Sequence, residues 1–216
     1  MDEQDGVSVT TCPRLRLDFY NTAVMMSQWT EDGRTTTHPV AVQDVVGACM
    51  NVTLGSGLLP PDVLFWRQRG QTVTLAIFVP ARRWRVQVEE GAVRQGYHIP
   101  LPSLVFVGSG KAYHVFAVRQ RPSNGREPLY EAPCPNVHHT GHICQGDAPF
   151  PVCSTQSIRP ALDLFLEGSA FNSHLSNGKC QRYPDDVRRL WAELNGKKHF
   201  PLKELVPTRQ SVGHLL

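Results

Sequence analysis

The chain has 216 residues, enough at roughly 150 residues per domain for one large domain or one domain with a substantial extension. Hydrophobic residues make up 41% and charged residues 19%, which sets aside disordered, collagen-like and coiled-coil classes. A net charge of +3 without a concentrated basic stripe argues against a nucleic-acid partner, and no stretch approaches the roughly 18 apolar residues of a membrane span. The N-terminus, Met1 to Val7, is acidic and polar with no apolar signal region, so a cytoplasmic protein is expected. In that compartment the cysteines at 12, 49, 134, 144, 153 and 180 are thiols for packing, metal binding or chemistry, not a disulfide framework.

In chain order, Leu15, Leu17 and Phe19 alternate, and Val24 to Trp29 and Thr35 to Val42 flank the turn Glu31-Asp32-Gly33 as a hairpin. Gln71 to Val79 is a β-branched run closed by Pro80. It is expected to pair with Trp84 to Val88, which ends at Glu90-Gly91. Arg82 and Arg85 are expected on one face of that strand with Trp84 on the other, a solvated face rather than a phosphate groove. Leu104 to Val107 and Tyr113 to Val118 flank Gly108-Ser109-Gly110, a glycine-bearing hairpin connection.

From Arg121 to Pro151 the prolines at 122, 128, 133, 135, 149 and 151 predict a long irregular loop without continuous helix or central strand. Loops of that length in a compact domain are usually functional. Beyond it, Pro160 suits the first turn of a helix carrying Leu162, Phe165 and Leu166. Pro184-Asp185-Asp186 opens a second helix, in which Val187, Leu190, Trp191 and Leu194 recur at helical spacing before Asn195-Gly196. Residues 197–216 show no clear period and are expected to be partly disordered.

Within the long loop, Cys134-Pro135-Asn136-Val137-His138-His139-Thr140-Gly141-His142-Ile143-Cys144 resembles the active-site stretch of ubiquitin-conjugating enzymes. There a His-Pro-Asn tripeptide, an aliphatic residue, a turn, a glycine and an aliphatic residue lead to the acceptor cysteine. More narrowly, the chain is similar to the bacterial members of that superfamily known as the PRTRC system B proteins (prokaryotic conjugating-enzyme family D). These are encoded in plasmid-type cassettes beside a ThiF-like activating enzyme and a small ubiquitin-like protein. Leu59 to Leu64, Phe78 to Pro80, Pro102 to Phe106, Ala117 to Pro122 and Leu129 to Cys144 carry the likeness, which weakens at both ends.

The resemblance implies an α+β fold. An antiparallel β-meander packed with helices would form a ubiquitin-conjugating-enzyme-like core over 59–196, with a β-rich N-terminal extension over 1–58 and a tail over 197–216. It also implies that Cys144 accepts the C-terminus of a ubiquitin-like protein as a thioester from the activating enzyme and passes it to an amine. No bound cofactor is expected, since ATP is used by the activating partner. A free thiol with pKa near 8.5 is already a few per cent thiolate at neutral pH, and thioester exchange is nearly balanced, so no strong base is required. The later step needs a donor near the tetrahedral oxyanion, and by resemblance Asn136 serves or shapes that site. Cys134 stands where the tripeptide has histidine, and a thiol is the weaker hydrogen-bonding group. The bacterial relatives instead carry a histidine on the C-terminal side of the cysteine, best matched by His174, which could deprotonate an amine, bond the thiol or orient the loop. Asp147, three residues after the thiol, is placed to polarise an attacking amine.

Other readings of the same residues are open. Cys134, His138, His139, His142, Cys144 and Cys153 offer enough ligands for tetrahedral zinc, although the spacing lacks a Cys-x-x-Cys pair. The fold could also serve as a non-catalytic module that binds a ubiquitin-like protein. A thiol protease would need His174 with Asp185 or Asp186 as the third member. Cys12, Cys49 and Cys180 read as structural, Asn136 has a turn-forming alternative, and His174 one as a helix-end or packed imidazole.

Overall fold

The computed structural model describes residues 14–30, 32–50 and 58–215; Cys12 and Glu31 lie outside them. The chain divides into two compact units, residues 1–55 and 56–216. In the first, β1 (Leu15–Phe19), β2 (Val24–Trp29) and β3 (Thr35–Val40) form an antiparallel sheet in that order, and Gly33 sits at φ +78° in the expected hairpin turn. The strand expected to run through Val42 stops at Val40, because Val42–Met50 forms a helix, α1. Its valines at 42, 45 and 46 are poor helix signals by propensity, which hides it in a β-rich reading.

The second unit holds β4 (Val63–Arg69), β5 (Thr72–Val79), β6 (Arg82–Glu90), β7 (Val93–Leu101), β8 (Ser103–Ser109), β9 (Ala112–Val118), β10 (Pro128–Glu131), β11 (Ala170–Phe171) and β12 (Pro207–Ser211). Its helices are α2 (Ile158–Asp163), which runs on through a π-helical turn at Leu164–Gly168, and α3 (Val187–Leu194). Six strands form one antiparallel sheet in the order β12-β10-β9-β8-β5-β4, and β11-β6-β7 form a second sheet. The architecture is α+β, dominated by antiparallel sheet.

The pairing expected between 71–79 and 84–88 does not form. β5 lies between β4 and β8, whereas β6 pairs antiparallel with β7 and parallel with β11. Pro80, which has no N–H to donate, ends β5, and the chain crosses there into the second sheet. The faces of β6 are also corrected. Arg83 and Arg85 share the exposed side, while Arg82 lies on the side of Trp84 with its guanidinium carbon 3.6 Å from the ring centroid. The period of two dictates this, since residues 82 and 84 have the same parity. The connection between β8 and β9 is the two-residue turn Gly110-Lys111, so Gly108 and Ser109 belong to β8.

Alternation splits the core into two layers. Leu75, Ile77, Leu104, Phe106, Tyr113 and Val115 face a large cluster with Trp84, Val86, Phe165, Phe171 and Trp191. On the other face Ala76, Val105, Val107, Phe116 and Val118 meet Leu129 and Val212. Strands buried on both faces explain why β5 and β8 read as continuous apolar runs. Both later helices begin where expected. Asp186 caps α3, its carboxylate accepting from the Arg188 N–H at 3.0 Å, and Val187, Leu190, Trp191 and Leu194 form the buried stripe.

Two further expectations are corrected. The loop 121–151 contains β10, a central strand despite its prolines, because Pro128 stands at the strand's first residue and Pro133 beyond its end. Residues 197–215 are ordered: 3₁₀ turns at Leu202–Glu204 and Val212–Leu215 flank β12, which pairs with β10. The sequence of β12, Pro-Thr-Arg-Gln-Ser, carries no apolar alternation; pairing with β10 and a bond from Thr208 Oγ1 to the Leu129 carbonyl at 2.7 Å hold it in place.

Candidate active site

The cysteine loop is built on the edge of β9. β10 covers only the C-terminal half of that strand, pairing Tyr130 with Ala117 and Glu131 with Phe116. The chain then leaves the sheet through Ala132 to Asn136 and returns to the uncovered half. There the Val115 N–H donates to the Gly141 carbonyl at 2.9 Å and the Ile143 N–H to the Tyr113 carbonyl at 2.9 Å. Val137 and Ile143 bridge across the loop, and the His138 N–H donates to the His142 carbonyl at 2.9 Å. Gly141 is required twice over. Its φ is +80°, and a Cβ there would lie 2.3 Å from Cζ of Phe116.

Two main-chain bonds then aim the cysteine. The Asn136 N–H donates to the His174 carbonyl and the Cys144 N–H to the Asn136 carbonyl, each at 2.8 Å. Asn136 adopts φ +58°, the left-handed conformation that asparagine tolerates better than most residues. Its structural contribution is therefore in the backbone. The side chain makes one long contact, Nδ2 to the Ala170 carbonyl at 3.5 Å, and leaves Oδ1 buried without a partner. On the other side of the loop, Trp191 of α3 donates from Nε1 to the Pro133 carbonyl at 2.8 Å.

Cys144, Asn136, Asp147 and His174 all line one cleft of about 550 Å³, with Phe165 and Ala170 among its other walls. Glu89 and Arg94, paired at 3.4 Å across the β6–β7 hairpin, lie at the same cleft. His174 is exposed, its N–H donating to Oδ1 of Asn172 at 2.8 Å, and its ring centroid is 6.5 Å from that of His138. Asp147 is exposed on the segment that follows the cysteine.

The remaining thiols of this unit have a different character. Burial pushes Cys134 up to about 12 against the pull of the Lys179 charge, and burial pushes Cys153 up to about 11. Cys180 is also raised by burial, and its thiol donates to the Tyr183 carbonyl at 3.2 Å. Cys153 packs against Gly108, where a Cβ would lie 2.6 Å from the sulfur. Cys144 is half-buried and opens on the cleft; Cys49, in the first unit, is exposed.

The alternative arrangements find less support. No three His, Cys, Asp or Glu side chains among the described residues converge as a metal-ligand set, so the zinc reading lacks a site there. Asp186 is taken by Arg188 and Asp185 by Arg189, so both carboxylates are engaged by arginines of α3. Sequence reasoning missed the cleft's far walls in β6, β7 and the π-helical turn. It also missed a buried ion pair between Glu131 and Lys179, 48 positions apart, for which spacing gives no signal.

A family model described as prokaryotic E2 family D matches residues 41–208. The chain belongs to that family. The match starts at Ala41 and ends at Thr208, so it takes in α1 and most of the second unit, and it contains the whole cleft. No curated protein and no solved structure matches the chain significantly. Membership in an E2 family points to conjugating-enzyme-like function and, in general terms, to dealings with an activating enzyme and a ubiquitin-like protein. No helix among the described residues is long and apolar enough to cross a membrane.

Proposed function

We propose that this chain is a ubiquitin-like-protein conjugating enzyme that carries its cargo on Cys144. The observation that supports it most is that Cys144, half-buried while Cys134 and Cys153 are buried with raised thiols, opens on the cleft shared by Asn136, Asp147 and His174. In the first step the Cys144 thiolate attacks the carbonyl carbon of a thioester held by a ThiF-like activating enzyme. The C–S bond to that enzyme breaks, its thiolate leaves, and a thioester to Cys144 remains. In the second step an amine attacks the same carbonyl carbon, loses its proton, and expels the Cys144 thiolate as the amide forms. ATP is consumed upstream, and this chain needs no bound cofactor for either step.

Asn136 suits the second step. An amide has two N–H donors and two acceptor sites, and here one long contact to Ala170 leaves capacity for the developing oxyanion or the incoming amine. Asp147, exposed at the rim, would orient the amine or take its proton, and His174 would act on the same group or hold the wall through its carbonyl. The likeness to PRTRC system B proteins supports a bacterial plasmid-type cassette as the source of both partners. The test is intact mass after mixing the protein with the activating enzyme, the ubiquitin-like protein and ATP. A reducible one-to-one adduct is expected on the wild type and not on Cys144→Ala. An activating enzyme that charges while this protein stays unmodified would favour a non-catalytic binding module.

A further inference from the structure

We infer that Glu131, Lys179 and His139 form a positioning device for the cysteine loop, supplying directional bonds that the buried Cys134 thiol does not. The inference rests on the conjugating reading of Cys144.

Three chain segments make the site: the end of β10 leading into Asn136, the histidine turn leading into Cys144, and the stretch after β11 that supplies His174. Glu131 is the last residue of β10, five positions before Asn136. One of its carboxylate oxygens, Oε2, takes Nζ of Lys179 at 2.7 Å, and the other, Oε1, lies 3.1 Å from Nδ1 of His139. Lys179 follows His174 in the third segment, and His139 sits in the second. One carboxylate therefore touches all three.

The pair is deep. Lys179 is 1% exposed and Glu131 8%, so the pair is largely shut off from solvent. A second observation shows the closeness of the third segment to the turn: Gly178 has φ +69°, and a Cβ on it would lie 2.9 Å from Cε1 of His139. Cys134 stands next to this device in the electrostatic sense, its thiol being pulled down by the Lys179 charge while burial pushes it up. A thiol is a weak donor and acceptor, and Cys134 is fully buried, so it offers the loop little directional bonding. The carboxylate does so from three residues earlier.

Buried ion pairs are often replaceable by apolar side chains of similar volume without loss of stability, whereas removing one partner leaves an uncompensated buried charge. That contrast separates positioning from mere stabilisation. The variants are Glu131→Met/Lys179→Met, which removes both charges, and His139→Gln, which alters the exposed arm alone. Both are charged with the ubiquitin-like protein by the activating enzyme and ATP, then released into excess free lysine, with thermal melting measured alongside.

The double variant is expected to melt near the wild type and to charge Cys144 at close to the wild-type rate, because thioester exchange needs only an accessible thiol. Its discharge to lysine should slow about tenfold, since that step depends on the placement of Asn136 and the amine. His139→Gln should slow discharge by a smaller factor with no change in melting. If the double variant discharges like the wild type, whatever its melting temperature, the pair does not position the site and the inference is overturned. If it fails to fold, His139→Gln decides alone, and unchanged discharge there overturns the inference. Failure of the wild type to charge at all strikes the conjugating reading instead, and is seen before any variant is compared.

Discussion

Two adjoining stretches that line the cleft are held very differently. The wall from Ala132 to Cys144 is tied to β9, to α3 through Trp191, to the carbonyl of His174 and to the buried Glu131–Lys179 pair. The segment that follows, Gln145 to Pro149, is held more lightly, by Gln145 Nε2 to the Lys111 carbonyl at 2.8 Å, by the Ala148 N–H to the Gln145 carbonyl at 3.0 Å and by the Phe150 N–H to the Ala148 carbonyl at 2.8 Å. Order returns at Phe150, Tyr113 Oη donating to the Pro151 carbonyl and the Cys153 N–H to the Gly110 carbonyl. A rigid wall presents the thiol and the asparagine, and a looser one presents Asp147. Such a division would suit the two-step transfer proposed for Cys144, in which one reactant is held and two partners come in turn.

Substitutions should separate the walls, and the largest effect belongs to the rigid one. Gly141→Val forces a β-branched residue into φ +80° and drives its Cβ into Phe116, so stability should fall by about 3 kcal/mol or more, read from the urea midpoint. Trp191→Phe keeps the ring volume close but orphans the Pro133 carbonyl, and about 1–3 kcal/mol should be lost by the same measurement. Gln145→Ala, on the looser wall, removes a single exposed bond and should cost under about 0.5 kcal/mol, with no shift in thermal melting outside error.

The thiols provide a comparison by pH. Iodoacetamide at pH 8 should label Cys144 and Cys49 in the native protein, leaving Cys134 and Cys153 silent until denaturant is added, by peptide mass mapping. For Cys134 the folded state raises the thiol from 9.0 to about 12, so its neutral form is favoured in the fold. The stability linked to it is whole below pH 9 and is lost as pH rises towards 12, because the unfolded chain releases the proton first. A Cys134→Ala variant should therefore melt lower than the wild type at pH 8, with the gap narrowing by pH 10.5.

The cysteine loop was the most legible part of the molecule. Pro135-Asn136 and Gly141 mark places where the backbone must turn in ways other residues resist, and such constraints show in a single sequence. The hairpin partners of β5 and β6 were not legible, because alternation tells which face of a strand is buried and not which strand lies beside it. The tail was misread for a related reason: β12 is polar, and what places it is pairing with β10 and the Thr208 hydroxyl donating to the Leu129 carbonyl, neither of which shows as apolar alternation. The shared cleft follows from the same limit. Cys144 and His174 are thirty positions apart, and it is the crossing of β11 beside β6 that brings the later segment to the thiol.

The pairing of β12 with β10 has a consequence in time. β10 leads directly into the rigid wall, yet its outer edge is completed by a strand about eighty residues further along the chain. Contacts so distant in sequence form slowly, and during synthesis they wait for the distal partner to emerge. A nascent chain that has already exposed Cys144 would therefore lack the strand that secures the ground beneath it. The cleft that Cys144 lines is therefore finished on one side well before the sheet beneath that side is complete.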